Sequence, residues 1–277
     1  MAGVLYIVPT PIGNLSDLSP RAEETLRSAD VVACEDTRHT QKLLNHFGIK
    51  AELVSYHEHN EQQRAAELIR KLESGLSVAL VSDAGTPAIS DPGVPLVRAA
   101  HEAGIQVISV PGPSALVAAV SASGLGTDSI FFGGFLPSKP GQRRKRLREC
   151  AEIPATLVFY ESPHRVAASL ADCLAVLGDR QASISRELSK IHEETLTGKI
   201  SQLITIIDAK AKGEFVLVID RATSEAAIAE KDTPDLKERV RALEAEGMTS
   251  RDALKKAAKE LGLARSEAYR LLHIDGE

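Results

Sequence analysis

The chain has 277 residues, 43% of them hydrophobic and 26% charged, with a net charge of −5. That is an ordinary globular composition, long enough for about two domains. It lacks the global basic field that draws a chain to nucleic acid, so any such contact has to come from a local patch. Cys34, Cys150 and Cys173 have no CxxC spacing, which argues against a disulfide framework and a zinc site and fits a reducing cytoplasm.

The first residues, Met1-Ala-Gly-Val-Leu-Tyr-Ile-Val8, carry no basic segment and meet Pro9. They read as a strand, not as a signal peptide. No apolar run approaches the ~18 residues a membrane span requires. Strand-like runs lie at 4–8, 31–34, 53–56, 78–81 and 107–110, with helical spacing at 20–29, 40–47, 61–73 and 95–103. Ser19-Pro20 is a helix start, with an N-cap candidate followed by Pro at the first position. Gly48, Gly75 and Gly104 stand just after helical segments, where a left-handed residue closes a helix. This alternation predicts a parallel sheet with helices on its faces, whose ligands bind beyond the carboxyl ends of the strands.

A break falls near Ala122-Ser-Gly-Leu-Gly-Thr127. Strands are expected after it at 130–132, 156–160, 182–185 and 215–219, and helices at 143–151, 164–177 and 200–209. The reading gives an N-terminal α/β domain at 1–121, a second α/β domain at 122–222, a linker at 223–233 and a helical tail at 234–277.

Five strand ends of the first domain carry ligand-type residues: PTPIGN (9–14), EDTRHT (35–40), HEHNE (57–61), SDAGTP (82–87) and PGPSAL (111–116). Singly each reads as a turn. Five together on one sheet edge read as an active cleft. There is no GxGxxG after the first strand, no GxxxxGK[ST] and no GxSxG, so classical dinucleotide, P-loop and acyl-transfer sites have no support. Basic residues are sparse in the Gly/Pro loops, which favours a ligand without phosphate, such as S-adenosylmethionine, whose positive sulfonium would suit Asp83. His57 and His59 are metal-ligand types, but no third ligand is evident, and no metal is expected.

In this order, LYIVPTPIGNL, EDTRHT, VSDAGTPAISDPG, VPGPSAL, GGFLP, FYESPHR and RELSK resemble the ribosomal RNA small-subunit methyltransferase I family of the tetrapyrrole-methylase superfamily. The resemblance covers about residues 4–221. It implies two α/β domains with S-adenosylmethionine in the cleft between them, a homodimer, and 2′-O-methylation of a cytidine ribose in the decoding region of 16S ribosomal RNA. Carried across, it places the cofactor against Pro11 and Gly13, then Asp83, Ala84, Gly85 and Thr86, then Ser114 and Ala115. Glu161, Ser162, Thr197 and Gly198 would close over it.

Methyl transfer to a ribose hydroxyl requires alignment with the methyl group and help in removing a proton. Glu35, Asp36, Arg38, His39 and His57 are candidates, and the Glu35–Asp36–Arg38 cluster is favoured, with one carboxylate as base. For gripping RNA, KPGQRRKRLR (139–148) holds Lys139, Arg143, Arg144, Lys145, Arg146 and Arg148 without an acid. Basic charge at a helix start opposes the helix dipole, and a phosphate partner would compensate. The tail reads as three helices, with a capping pattern at Thr249-x-x-Asp252 and a face of Ala253, Leu254, Ala257, Ala258 and Leu261. It resembles a helix-turn-helix. From Lys231 on it balances ten Lys/Arg with ten Asp/Glu, which favours RNA contact or packing over DNA reading. The competing readings are a small-molecule methyltransferase of the tetrapyrrole type and a cofactor-sensing DNA-binding regulator. The cytoplasm is the expected location and the 30S subunit the expected context of the substrate.

Overall fold

The computed structural model describes residues 2–207, 213–222, 233–260 and 268. Met1–Arg221 form one compact unit and Ala222–Glu277 another.

The first unit holds two five-stranded sheets. In the first, strands β1 (Val4–Ile7), β2 (Val31–Cys34), β3 (Glu52–Ser55), β4 (Val78–Leu80) and β5 (Gln106–Ser109) run parallel in the order β3-β2-β4-β1-β5. Period-two alternation sends successive side chains to opposite faces. Val31 and Ala33 thus pack with Leu68, Leu72, Leu96 and Ala100 of α3 (Glu61–Glu73) and α4 (Val94–Glu102). Val32 and Cys34 pack with Ala22, Leu26 and Leu44 of α1 (Pro20–Ser28) and α2 (Thr37–His46). Each fully buried Leu here contributes on the order of 2 kcal/mol. Ser19 caps α1 as expected, accepting a hydrogen bond from the Ala22 amide at 3.1 Å.

The second sheet contains β6 (Ile130–Phe135), β7 (Thr156–Glu161), β8 (Gln181–Arg186), β9 (Glu194–Lys199) and β10 (Phe215–Ile219) in the order β6-β7-β10-β8-β9. It is mixed: β6 and β7 are parallel, while β10 is antiparallel to both β7 and β8. One face packs on α6 (Pro140–Ala151), α7 (Val166–Leu177) and α8 (Ile200–Ile206). The other face, with Val158, Val216 and Val218, receives Ala119 and Val120 of α5 (Ala115–Ser123). The chain therefore passes to the second sheet ahead of α5, a few residues before the break legible near Ala122. α5 and β9 are both absent from the sequence reading.

The tail unit contains α9 (Thr233–Ala245) and α10 (Ser250–Glu260). Leu236, Val240 and Leu243 bury against Ala253, Leu254, Ala257 and Ala258, the face expected for α10. Thr249 and Asp252 form the expected cap, with the Thr249 hydroxyl donating to Asp252 at 2.8 Å. The expected linker and third tail helix fall almost wholly outside the described residues. Among those described, no helix is long and apolar enough to cross a membrane.

Candidate active site

The loops after β1, β4 and β5 converge at the carboxyl edge of the first sheet. Thr10 and Gly85 exchange backbone hydrogen bonds of 2.9 Å in each direction. The Thr10 hydroxyl donates to the Ser82 carbonyl at 2.9 Å, and the Thr86 hydroxyl donates to the Pro113 carbonyl at 3.1 Å. Gly85 has φ +80°, the left-handed region where a side chain is strained. At Gly112 an added Cβ would lie 2.9 Å from the Pro9 Cβ, so only glycine lets the fifth loop approach the first this closely. The crowding of Gly and Pro in these loops thus stitches three strand ends into one rigid rim.

That rim faces a cleft lined by both sheets. One wall is built from Asp83, Ala84, Gly85, Thr86, Ser114 and Ala115. The other comes from the second sheet, where Phe135 and Tyr160 pack edge to face at 5.5 Å. Six expected cofactor residues therefore line one wall together, and Glu161 lines the cleft as well. Its carboxylate is spent internally: it pairs with Arg165 at 2.7 Å and accepts from the Ser169 hydroxyl at 2.5 Å and the Ser162 amide at 2.8 Å. Pro11, Gly13, Ser162, Thr197 and Gly198 are not among the lining residues. In the first loop it is Ile12, between Pro11 and Gly13, that reaches the cleft. Thr197 and Gly198 lie on β9, the far edge of the second sheet, beyond β8.

The Glu35–Asp36–Arg38 cluster divides. Asp36 is the N-cap of α2 and accepts from the Arg38 amide at 2.8 Å, while the Arg38 guanidinium holds the same carboxylate at 2.8 and 3.1 Å. These bonds hold its carboxyl far below the ordinary range, which makes it a weak proton acceptor. Asp36 is thus a helix cap whose carboxylate is bonded to Arg38. Arg38 is largely exposed. Glu35 is exposed as well, yet its carboxyl is pushed up by desolvation and by the nearby charge of Asp83.

The basic run also divides. It begins α6, as expected, but Arg143 is 3% exposed and bonds Asp172 of α7 through Nε at 2.7 Å and Nη2 at 2.6 Å. Arg143 is therefore withdrawn from the RNA-binding set. The helix repeat explains it, since Arg143, Leu147 and Cys150 share the inward face of α6. Arg144 also reaches Asp172, at 3.2 Å, but remains exposed. Arg146 stands 5.7 Å over the Phe131 ring. Lys139, Lys145 and Arg148 are exposed.

A model of the tetrapyrrole (corrin/porphyrin) methylases matches residues 4–204. Ribosomal RNA small subunit methyltransferase I of Synechocystis is 46% identical over 99% of this chain and 100% of its own length. The chain belongs to the ribosomal RNA small subunit methyltransferase I family. The Vibrio cholerae protein of that name is 53% identical over 79% of this chain and 77% of its own, and the Escherichia coli O157:H7 protein is 45% identical over 97% and 94%. A uroporphyrin-III-C-methyltransferase crystal structure from Thermus thermophilus superposes with a TM-score of 0.53 at 21% identity, covering 80% of this chain and 93% of that one. That likeness establishes the two-sheet fold.

Several lining residues went unassigned in the sequence: Ile89, Ser90, Asp91, Phe135, Tyr160 and Glu214. Most of them sit inside motifs that mark the family, VSDAGTPAISDPG, GGFLP and FYESPHR. The signal was present in the motifs, but nothing in one-dimensional spacing singled these positions out.

Proposed function

We propose that this chain transfers a methyl group from S-adenosylmethionine to the ribose 2′-hydroxyl of a cytidine in 16S ribosomal RNA. The observation that carries the reading is the cleft. It joins a rigid Gly/Pro rim, carboxylates and an aromatic wall in a chain that is 46% identical to a ribosomal RNA methyltransferase along its whole length. Bound there, S-adenosylmethionine would supply an activated methyl on a positively charged sulfur. The residues present fit such a group: Asp83 offers a carboxylate, Gly85 gives access to backbone groups, and Ser114 and Ala115 open α5 at its positive end. Thr86 fixes the rim by its bond to Pro113.

The chain's own contribution to the transfer is alignment, exclusion of water and removal of a proton. Lys139, Arg144, Lys145 and Arg148, exposed along the start of α6 and its flank, support contact with RNA phosphates. Arg38 offers a further exposed cation at the edge of the first sheet. The substrate is RNA within the 30S subunit, and the enzyme acts as a homodimer in the cytoplasm. The test is methyl transfer from labelled S-adenosylmethionine to 30S subunits, with a tetrapyrrole precursor as the competing acceptor. Label in RNA supports the proposal, and label confined to the tetrapyrrole overturns it.

A further inference from the structure

We infer that Asp91 is the group that accepts the proton from the ribose hydroxyl during methyl transfer. The inference deepens the proposed function and rests on it.

Asp91 lines the same cleft as Asp83, Gly85 and Ser114. Its loop is held by unusual backbone geometry: Ala88 and Ser90 have φ +66° and +63°, left-handed values that cost a residue with a side chain energy. The Ala88 amide donates to the Pro92 carbonyl at 3.3 Å, which closes the loop around Asp91. Across the cleft, an added Cβ at Gly134 of β6 would stand 3.3 Å from the Ser90 hydroxyl, so the second sheet abuts this segment closely. Strain of this kind persists where the surrounding structure enforces it, often at functional sites.

Of the other acids, Glu35 and Asp36 do not line the cleft, and those that line it are bonded or open to water. Asp36 caps α2 and is held by Arg38. The Glu161 carboxylate is buried and paired with Arg165. Asp83 lies 3.3 Å from the Asp36 amide, which donates to it. Glu214 is mostly exposed and 3.9 Å from Lys190. Glu35 is not among the lining residues. Asp91 is half-buried, and no ion pair to it is seen among the described residues.

The groups that face Asp91 are Glu35 after β2, Asp83 after β4, Tyr160 of β7 and Glu214 before β10. Burial first, then the negative charges of Glu35, Asp83 and Glu214, push its carboxyl up to about 6. A base with that value is mostly ionised at neutral pH and still takes up a proton readily. In the transfer the ribose oxygen gains the methyl, its O–H bond breaks, and the proton passes to the Asp91 carboxylate and then to water. The methyl–sulfur bond breaks with its electron pair staying on sulfur, which becomes neutral.

The test compares wild type, Asp91→Asn and Asp91→Glu at saturating cofactor and 30S subunits in single turnover from pH 5 to 8. Cofactor affinity is measured separately by calorimetry. Carbon NMR of carboxyl-labelled aspartate follows the Asp91 resonance in the cofactor-free protein, assigned by its loss in Asp91→Asn. The expected results are a wild-type rate that rises with pH through one limb, with a midpoint at or below 6 because the positive sulfonium favours the ionised carboxylate, and an Asp91→Asn rate lower by about 100-fold or more, without that limb. Cofactor affinity should stay within about threefold, Asp91→Glu should recover part of the rate, and the NMR midpoint should lie near 6. An Asp91→Asn enzyme that keeps the wild-type rate and pH limb overturns the inference. So does a rate loss matched by an equal loss of cofactor affinity, which would make Asp91 a cofactor contact. A wild-type protein that labels no RNA refutes the proposed function instead.

Discussion

Arg143→Ala removes one half of a buried ion pair and provides the sharpest structural prediction. The Arg143 and Asp172 side chains are 4% and 11% exposed, and two guanidinium nitrogens lie 2.6–2.7 Å from one carboxylate oxygen. Removing one partner of such a pair costs about 3–5 kcal/mol, because the other charge is left buried. Arg144 remains 3.2 Å from the second carboxylate oxygen and can take up part of that charge. The expected loss is therefore at the lower end, about 3 kcal/mol. For a unit of this size that lowers the melting temperature by roughly 10 °C. Differential scanning calorimetry at neutral pH reads the change directly. The double variant Arg143→Met/Asp172→Leu should recover most of the stability, since an apolar pair of similar volume replaces a buried ion pair at little cost. Its affinity for RNA should match wild type. If Arg143→Ala melts like wild type, or if the apolar pair folds normally but binds RNA more weakly with a flatter salt dependence, Arg143 faces RNA and its assignment to the core is wrong.

Asp36→Ala should lower the urea midpoint through the missing cap, while single-turnover methyl transfer stays near wild type. Gly85→Ala places a Cβ 3.5 Å from Ile12 in a left-handed position beside the cleft. It should weaken cofactor binding in calorimetry by more than it lowers the melting temperature. Changing Lys139, Arg144, Lys145 and Arg148 to Gln should weaken binding to 16S RNA and reduce the slope of log K against log salt, by roughly 0.7–0.9 for each phosphate no longer neutralised. Asp91→Asn should stabilise the fold at neutral pH. The folded chain holds this proton up to about pH 6, against 3.8 for the ordinary group. Stability due to Asp91 is therefore full below the lower value and falls as pH rises to the upper one. The full shift corresponds to about 3 kcal/mol, and solvent screening of a half-exposed carboxyl reduces that to about 1–2 kcal/mol. Thermal melts of wild type and variant should diverge at pH 7 and converge at pH 4.

Much of the fold was legible because its buried strands are short apolar runs bounded by Gly and Pro. β2 and β10 match the expected spans residue for residue, and most other strands agree within a residue or two. Two elements were not legible. α5 reads ALVAAVSAS, small and apolar with little amphipathic contrast, and it follows directly on a Gly/Pro loop, so nothing in its pattern separates it from that loop. β9 reads ETLTGK, with one large apolar residue, and is held as an edge by its pairing with β8. At the site, the rim residues were visible through their motif chemistry, whereas the opposite wall was not. Phe135 and Tyr160 reach the cleft through the second sheet's position, which spacing along the chain does not encode. Arg143 was hidden in a run of like charges. Its four-residue offset from Leu147 marks it as inward, but the partner Asp172 lies 29 residues away in sequence.

The most direct test of the central claim uses 30S subunits and naked 16S RNA from cells lacking this protein. Each is incubated with methyl-labelled S-adenosylmethionine and the purified chain, then digested to nucleosides for mass analysis. Label on the ribose of cytidine, stronger with 30S subunits than with naked RNA, is the predicted result. Label on a base, on another nucleoside or on neither substrate, with cofactor binding intact, would contradict it.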